Sequence, residues 1–469
     1  MEKIKFGTDG WRGIIAKEFT VDNVSRVALA ISNWLASKGQ NMSVVIGFDC
    51  RFGGEMFAKT IVKVLAHRGN KVYMAPEFVS TPMVSHGVLK LKADLGIVIT
   101  ASHNPPDYNG IKLKGAYGGP LFDSDLKNIE YLIHETNEVN LESVKWENLI
   151  DHNLVEYIDL EALYIEQVNK NFDLKLIKDS GLMMAFDAMH GSGQRVIRKL
   201  IPGIKCFHCT KDPFFGGVPP EPVYQNLLDF SEKIKNDWKV DLGLAVDGDA
   251  DRIALFDKDG SYIDSHHVIL LLIHYLAGYK KLKGKVVTGF SSSVKIETLA
   301  AHYGLKVQRV KIGFKQISQI MLKEDVIVGG EESGGISITG NIPERDGIWM
   351  GLAILQFMAE SGKSIRELID EIYSITGSFV YQRQDLKVPP ELKTRIVKKC
   401  REEGFSSFGE YKVIKTEDFD GWKFYFNENE WYMIRPSGTE PLLRTYAEAE
   451  NQQRVTDILR VGYDTIMRG

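Results

Sequence analysis

Four cysteines (Cys50, Cys206, Cys209 and Cys400) in 469 residues do not make a disulfide framework. Their one close pair, in Cys206-Phe207-His208-Cys209, has no matching second knuckle, which argues against zinc. Long apolar runs are also missing. The most apolar stretch, Val268 to Ile273 and a little beyond, is far short of the ~18 residues a membrane span needs. The opening Met1 to Gly7 lacks the apolar segment of a secretory signal. Neither sign of charge dominates: 58 Lys and Arg stand against 62 Asp and Glu, so no bulk pull toward nucleic acid or an anionic membrane follows. These absences predict a cytoplasmic protein with no nucleic-acid or membrane partner, whose anion binding comes from local clusters.

What is present reads as a soluble, multidomain α/β chain. The composition is 44% hydrophobic and 26% charged, and 43 glycines suit an enzyme with many tight loops. The length predicts three or four domains. Val24, Val27, Ala28, Ile31 and Leu35 recur at helical spacing, with Thr20 as N-cap and Gly39 just past the end. The strand Val44-Val45-Ile46, a glycine loop and a second helix carrying Phe57, Ile61 and Leu65 follow, which is β-loop-α grammar.

A weak internal repeat runs through the chain. Three apolar strands end in loops that carry chemistry: Ala93–Thr100 leads into Ala101-Ser102-His103-Asn104-Pro105, Val240–Val246 into Asp247-Gly248-Asp249-Ala250-Asp251-Arg252, and Glu324–Gly330 into Glu331-Glu332-Ser333-Gly334-Gly335. Each has an earlier companion strand about 40 to 60 residues upstream. Ligands collect beyond the carboxyl ends of strands in open α/β sheets, so three such loops can share one cleft. After Gly377 the pattern changes to short strands, Ser378–Tyr381, Trp422–Phe426 and Trp431–Ile434, and a terminal helix. The expected fold is three related mixed-sheet α/β domains, over 1–150, 151–260 and 261–375, and a smaller α+β domain over 376–469.

The acidic loop carries the clearest chemistry. Three carboxylates at alternate positions, with Gly248 and Ala250 between them, can point one way and hold a hard cation such as Mg²⁺. An EF-hand is ruled out, because its glycine position holds Arg252 and its glutamate position Lys258. A solvated acidic turn fits poorly after so apolar a strand. Ser102 reads as a presented hydroxyl, although Ser-His neighbours also occur in capping turns; no G-x-S-x-G elbow is present. The glycine-flanked Glu331, Glu332 and Ser333 suit vicinal sugar hydroxyls, or form a plain turn. In Arg435-Pro436-Ser437-Gly438-Thr439, a guanidinium, two hydroxyls and free amides suit a phosphate dianion, with a capped turn as the alternative. The loop does not match the Walker pattern. His266 and His267 read as capping or surface residues.

Taken in order, these four loops and the opening Phe6-Gly7-Thr8-Asp9-Gly10-Trp11-Arg12-Gly13 resemble the α-D-phosphohexomutase superfamily, in particular its phosphoglucomutase/phosphomannomutase branch, over essentially the whole chain. The resemblance implies three related α/β domains and a fourth of TATA-binding-protein-like form. It implies that Ser102 is a phosphoserine and that Asp247, Asp249 and Asp251 bind one Mg²⁺ per chain together with an oxygen on Ser102. Arg12, Arg252, His103 and Lys112 would surround the transferring phosphoryl group, with Lys112 as general base or acid. Glu331, Ser333 and Lys315 would face the sugar, and Arg435, Ser437, Gly438 and Thr439 would clamp the phosphate that is not reacting.

The implied reaction interconverts hexose 1-phosphate and hexose 6-phosphate, of glucose and/or mannose, through a hexose 1,6-bisphosphate that also serves as activator. A phosphoglucosamine mutase and a hexose-bisphosphate-forming phosphotransferase are the alternatives. The clamp at Arg435 argues against a plain phosphatase, and an intact Ser102 beside three aspartates argues against a non-catalytic binder. Small-molecule hexose phosphates are the expected partners, with the chain a monomer or homodimer. The fourth domain is expected to rotate about Ile375 to Ser378. One departure stands out: related sequences often end the sugar loop in His, where this chain has Gly335.

Overall fold

A computed structural model describes residues 4–7, 9–437 and 442–468. Its first sheet contains β1 (Trp11–Ile14), β2 (Ser43–Phe48), β3 (Lys71–Met74), β4 (Leu95–Ile99), β5 (Tyr108–Gly115) and β6 (Val155–Tyr157), in the order β1-β5-β4-β2-β3-β6. β4, β2, β3 and β6 are parallel, while β5 and β1 form antiparallel pairs beyond β4. The expected boundary after residue 150 therefore falls inside this sheet. β6 lies beyond it yet pairs with β3, because Val155 brings one more apolar side chain to the edge. The helix Val21–Lys38 begins as its sequence implies: the Thr20 side chain accepts from the Asn23 amide, and Gly39 ends it.

The second sheet has β7 (Met184–Asp187), β8 (Lys205–Phe207), β9 (Leu242–Val246), β10 (Ile253–Asp257) and β11 (Tyr262–Ile263), ordered β11-β10-β9-β7-β8. The third has β12 (Lys285–Gly289), β13 (Lys306–Val310), β14 (Val326–Gly330) and β15 (Ile336–Ile338), ordered β13-β12-β14-β15. The three sheets repeat one device. A fully buried parallel strand (β4, β9 or β14) turns through a loop into an antiparallel partner (β5, β10 or β15). Each loop-bearing strand also lies parallel to the companion upstream of it, β2, β7 or β12. All five residues of β4, β9 and β14 are buried, which is why these strands read as continuous apolar runs without alternation.

One apolar core runs from Val45 on the first sheet, through Leu244 and Leu271, to Ile354 and Phe379 and joins the first three domains, while a separate core around Ile46, Ile61 and Ile97 belongs to the first domain. The C-terminal domain keeps its own core. There β16 (Val380–Lys387), β19 (Lys415–Glu417), β20 (Trp422–Tyr425), β21 (Trp431–Pro436) and β22 (Leu442–Ala449) form an antiparallel sheet ordered β16-β22-β21-β20-β19. The helices Pro390–Glu402 and Gln452–Arg468 and the short hairpin β17 (Ser407–Phe408) and β18 (Tyr411–Lys412) complete it. The strand expected at Ser378–Tyr381 starts later and runs longer, because it pairs along the whole of β22.

The seam to the third domain is partly polar. Lys423 lies 3.6 Å from the Trp431 ring and donates to the Ser292 carbonyl at 3.0 Å, and burial pushes its ammonium down to about 7. His266 is also buried at this seam, its ring 4.1 Å from that of Tyr381, and is neither the capping nor the surface residue expected; its helix is capped by Asp264 through the His267 amide. No helix among the described residues is long and apolar enough to cross a membrane.

Candidate active site

The serine loop is braced from below. Ser102 adopts φ of 54°, a left-handed conformation that costs on the order of 1–3 kcal/mol for a residue with a side chain. Its amide donates to Thr100 Oγ1 at 2.8 Å, and Thr100 in turn donates to Asp49 Oδ2 at 2.5 Å. Arg51 knits the rest, donating to the carbonyls of Ser102 and Asn104 at 2.6 Å, Pro105 at 2.7 Å and Tyr108 at 3.0 Å. A planar guanidinium with five N–H donors is suited to this work. Asp49 lies 3.3 Å from Arg51, yet burial pushes its carboxyl up to about 6. Neither residue is conspicuous in sequence; their position in the loop after β2 is the only local signal.

The held hydroxyl meets the acidic loop. Ser102 Oγ donates to Asp247 Oδ2 at 2.7 Å, and Asp247 Oδ1 accepts the amides of Asp251 and Arg252 at 2.9 and 3.0 Å. Asp249 Oδ2 accepts from Thr81 Oγ1 at 2.5 Å and from Lys112 Nζ at 2.8 Å. Asp251 Oδ2 accepts from Lys112 at 2.7 Å and pairs with Arg345 at 2.8 Å. Asp9, from the opening motif, pairs with Lys112 at 2.9 Å and with Arg345 at 2.5 Å. Arg12 donates to Asn104 Oδ1 at 2.6 Å, and Arg252 pairs with Glu221 at 3.2 Å.

These contacts set the charges. Burial and the neighbouring Asp249 and Asp251 push the Asp247 carboxyl well above its usual range. Burial works the same way on Asp249, but Lys112, Thr81 and Arg345 outweigh it and hold that carboxyl below the usual range. Lys112 is fully buried, which favours loss of its proton, yet Asp249, Asp251 and Asp9 overcome burial and keep it an ammonium. The His103 ring nitrogen Nδ1 lies 3.4 Å from Ser102 Oγ, and burial, then Arg252, Arg12 and Lys112, hold the ring neutral.

Asp249 Oδ1 and Asp251 Oδ1 are buried without a hydrogen-bond partner. One carboxylate oxygen from each of Asp247, Asp249 and Asp251 lies within 4.8 Å of the others. Buried carboxylate oxygens left unpaired are costly, and a divalent cation with oxygen ligands relieves that cost. The three aspartates therefore fit Mg²⁺. Among the described residues they are the one such group of potential ligands, and Cys206 and Cys209 are free.

The sugar loop is joined to the acidic one, for the Ile253 amide donates to the Gly334 carbonyl at 3.1 Å. Glu331 Oε1 accepts the Gly313 amide at 2.6 Å; burial, with Glu332 beside it, pushes its carboxyl up to about 7. Ser333 is half-buried in the same loop. Gly335 has a steric reason: a Cβ there would lie 2.3 Å from Arg345 Cδ. The space that a larger side chain would need is taken by an arginine reaching across to Asp9 and Asp251. Local pattern did not single out Arg345.

Three residues expected at the sugar and the phosphate have protein partners in this structure. Lys315 pairs with Asp123 of the first domain at 2.8 Å. Arg435 pairs with Asp420 at 3.2 Å, and the Ser437 carbonyl accepts from Lys393 at 2.6 Å. Gly438 and Thr439 lie outside the described residues.

Comparison with known proteins bears on the whole chain. Family models described as phosphoglucomutase/phosphomannomutase α/β/α domains I, II and III match residues 3–140, 162–260 and 264–375, and the C-terminal domain of the same family matches 396–460. A phosphoglucomutase/phosphomannomutase of Thermococcus kodakarensis is 30% identical over 97% of both chains. A phosphoglucosamine/phosphogalactosamine mutase of Sulfurisphaera tokodaii is 32% identical over the same shares. The solved structure of a candidate phosphomannomutase from Thermus thermophilus superposes with a TM-score of 0.87, at 30% identity and covering 99% of each chain. With its four domains matched in order and relatives aligned from end to end, this chain belongs to the phosphoglucomutase/phosphomannomutase family of the α-D-phosphohexomutase superfamily, enzymes of intramolecular phosphoryl transfer.

Proposed function

We propose that the chain interconverts the 1- and 6-phosphates of a hexose by passing a phosphoryl group through Ser102, with glucosamine phosphate as the sugar to test first. The observation that carries the reading is the hydrogen bond from Ser102 Oγ to Asp247, inside a cluster of three aspartates and one lysine.

The serine ester P–O bond breaks as the bond to the free sugar hydroxyl forms, giving a hexose 1,6-bisphosphate, and the hydroxyl proton passes to the serine side of the site. After the bisphosphate turns around, the reverse transfer restores phosphoserine and releases the isomer. Phosphoryl transfer proceeds through a loose transition state, so positioning and charge neutralisation do most of the work. A bound Mg²⁺ would supply Lewis-acid charge at the phosphoryl oxygens. Arg12 and Arg252 supply further positive charge around Ser102. Lys112, held as an ammonium among three carboxylates, suits a proton donor and charge stabiliser better than a base. Neutral His103 lies beside the hydroxyl. Glu331 and Ser333 hold sugar hydroxyls, and the Arg435–Thr439 loop holds the second phosphate.

One observation supports the glucosamine reading: the Sulfurisphaera relative acts, by its name, on hexosamine phosphates. Glucose and mannose phosphates are the second reading, supported by the Thermococcus relative.

The test is a coupled assay on glucosamine, glucose and mannose 1-phosphates with magnesium, run on the native chain and on Ser102→Ala. Turnover is expected to vanish in the variant while the fold stays intact. Near-native activity of Ser102→Ala would overturn the covalent route. Faster turnover of glucose or mannose than of glucosamine 1-phosphate would overturn the choice of sugar.

A further inference from the structure

We infer that Asp420 is a positioning residue that aims Arg435 at the substrate and aligns it with the sugar loop; this rests on reading Arg435 as a phosphate clamp. Asp420 belongs to the turn between β19 and β20, in the C-terminal domain. One of its oxygens, Oδ2, makes two contacts. It accepts from Arg435 Nε at 3.2 Å, within its own domain, and from the Ile312 amide at 2.8 Å, across the seam in the third domain.

The next amide along, Gly313, donates to Glu331 Oε1 at 2.6 Å. Two consecutive backbone N–H groups are thus held by two carboxylates, one from each domain. The result is a short chain of contacts: Arg435, Asp420, the Ile312–Gly313 backbone, Glu331. It links the arginine of one loop to the carboxylate of the other.

The turn is shaped for this contact. Gly421 has φ of 104°, and a Cβ on it would lie 2.7 Å from the Ile434 carbonyl oxygen and 3.2 Å from Arg435 Cβ. Only a residue without a side chain lets the turn lie so close to Arg435. Charge also calls for an acid here. Arg435 stands directly opposite Arg444 across β21 and β22, and like charges opposite one another repel.

The pair adds little stability, because both side chains keep about a fifth of their surface exposed (20% and 18%) and partly exposed ion pairs are weak. Its value is directional. Asp420 engages Nε and leaves the terminal nitrogens of Arg435 for the two-pronged bonding that guanidinium offers phosphate. Because Asp420 and Arg435 share a domain, the aim survives any swing of that domain, whereas the bond to Ile312 exists only when the domain is docked. The substrate's distant phosphate and its ring are then gripped in register.

The experiment measures KM and kcat for hexose 1-phosphate in Asp420→Ala, Asp420→Asn, Arg435→Ala and the Asp420→Ala/Arg435→Ala double variant, with Asp420→Ser as a second truncation should the alanine variant fold poorly. Removal of the carboxylate is expected to raise KM roughly 3- to 10-fold with kcat nearly unchanged. Asn retains an acceptor oxygen for both donors and is expected to recover most of the loss. In the Arg435→Ala background, Asp420→Ala is expected to add nothing further. Unchanged KM in both truncations, or an equal rise with and without Arg435, would overturn the inference. If Arg435→Ala itself leaves KM unchanged, the clamp reading fails, and the two failures are told apart.

Discussion

Replacing Gly248 with alanine puts a methyl carbon 2.6 Å from the Ser102 carbonyl oxygen and 3.1 Å from Pro220 Cγ. Ordinary contact begins near 3.4 Å, so the serine and acidic loops must separate by about 0.8 Å. Neither side yields easily. The Ser102 carbonyl is pinned by Arg51 at 2.6 Å, and the acidic loop is tied back through the Asp251 and Arg252 amides to Asp247. The displacement falls on the 2.7 Å bond between Ser102 and Asp247. Misplacement of reacting groups by ~1 Å costs on the order of 100-fold in rate, so kcat is expected to fall roughly 10- to 100-fold. Stability should drop by roughly 1–3 kcal/mol, the usual range for overpacking. KM should change by less than about twofold, since the proposed phosphate clamp sits in another domain. Initial rates at saturating hexose phosphate, with a thermal melt to verify folding, read all three. A folded Gly248→Ala enzyme with native kcat would refute the idea that these loops must touch, and so would a change confined to KM.

Two other substitutions probe the structure around the site. Gly335→Ala forces the Arg345 side chain away from Asp9 and Asp251, and is expected to cost about tenfold in kcat and roughly 1–3 kcal/mol in stability; kinetics and melting that match the native chain would show that Arg345 moves freely. Asp346 caps the helix Gly347–Ser361 and accepts from Tyr164, and burial pushes its carboxyl up to about 7. The folded chain then keeps this proton over pH ~4 to 7 while the unfolded chain releases it, so this group makes stability fall as pH rises through that window, by at most roughly 4 kcal/mol. Asp346→Asn keeps a good cap and removes the effect, so its melting temperature should gain on the native one as pH rises from about 4 to 7. Parallel curves would rule the account out.

The local order of this protein was legible residue by residue. Uninterrupted apolar runs marked β4, β9 and β14 as buried strands, alternate aspartates after β9 marked a cation site, and Thr20 marked a helix start. Those signals are short-range, because strand burial, carboxylate spacing and capping are settled within a few residues. Tertiary structure decided what the loops touch. Arg51 bonds four carbonyls up to 57 residues away, Thr81 reaches Asp249 across 168 residues, and Arg345 reaches Asp9 across 336. It also joined three domains through one shared core, carried the first sheet past residue 150 to β6, buried His266 and tied Lys315 to Asp123. None of these contacts has a period or a motif, since a guanidinium bonded to backbone carbonyls, or an ammonium among carboxylates from separate loops, depends only on where folding brings the chain.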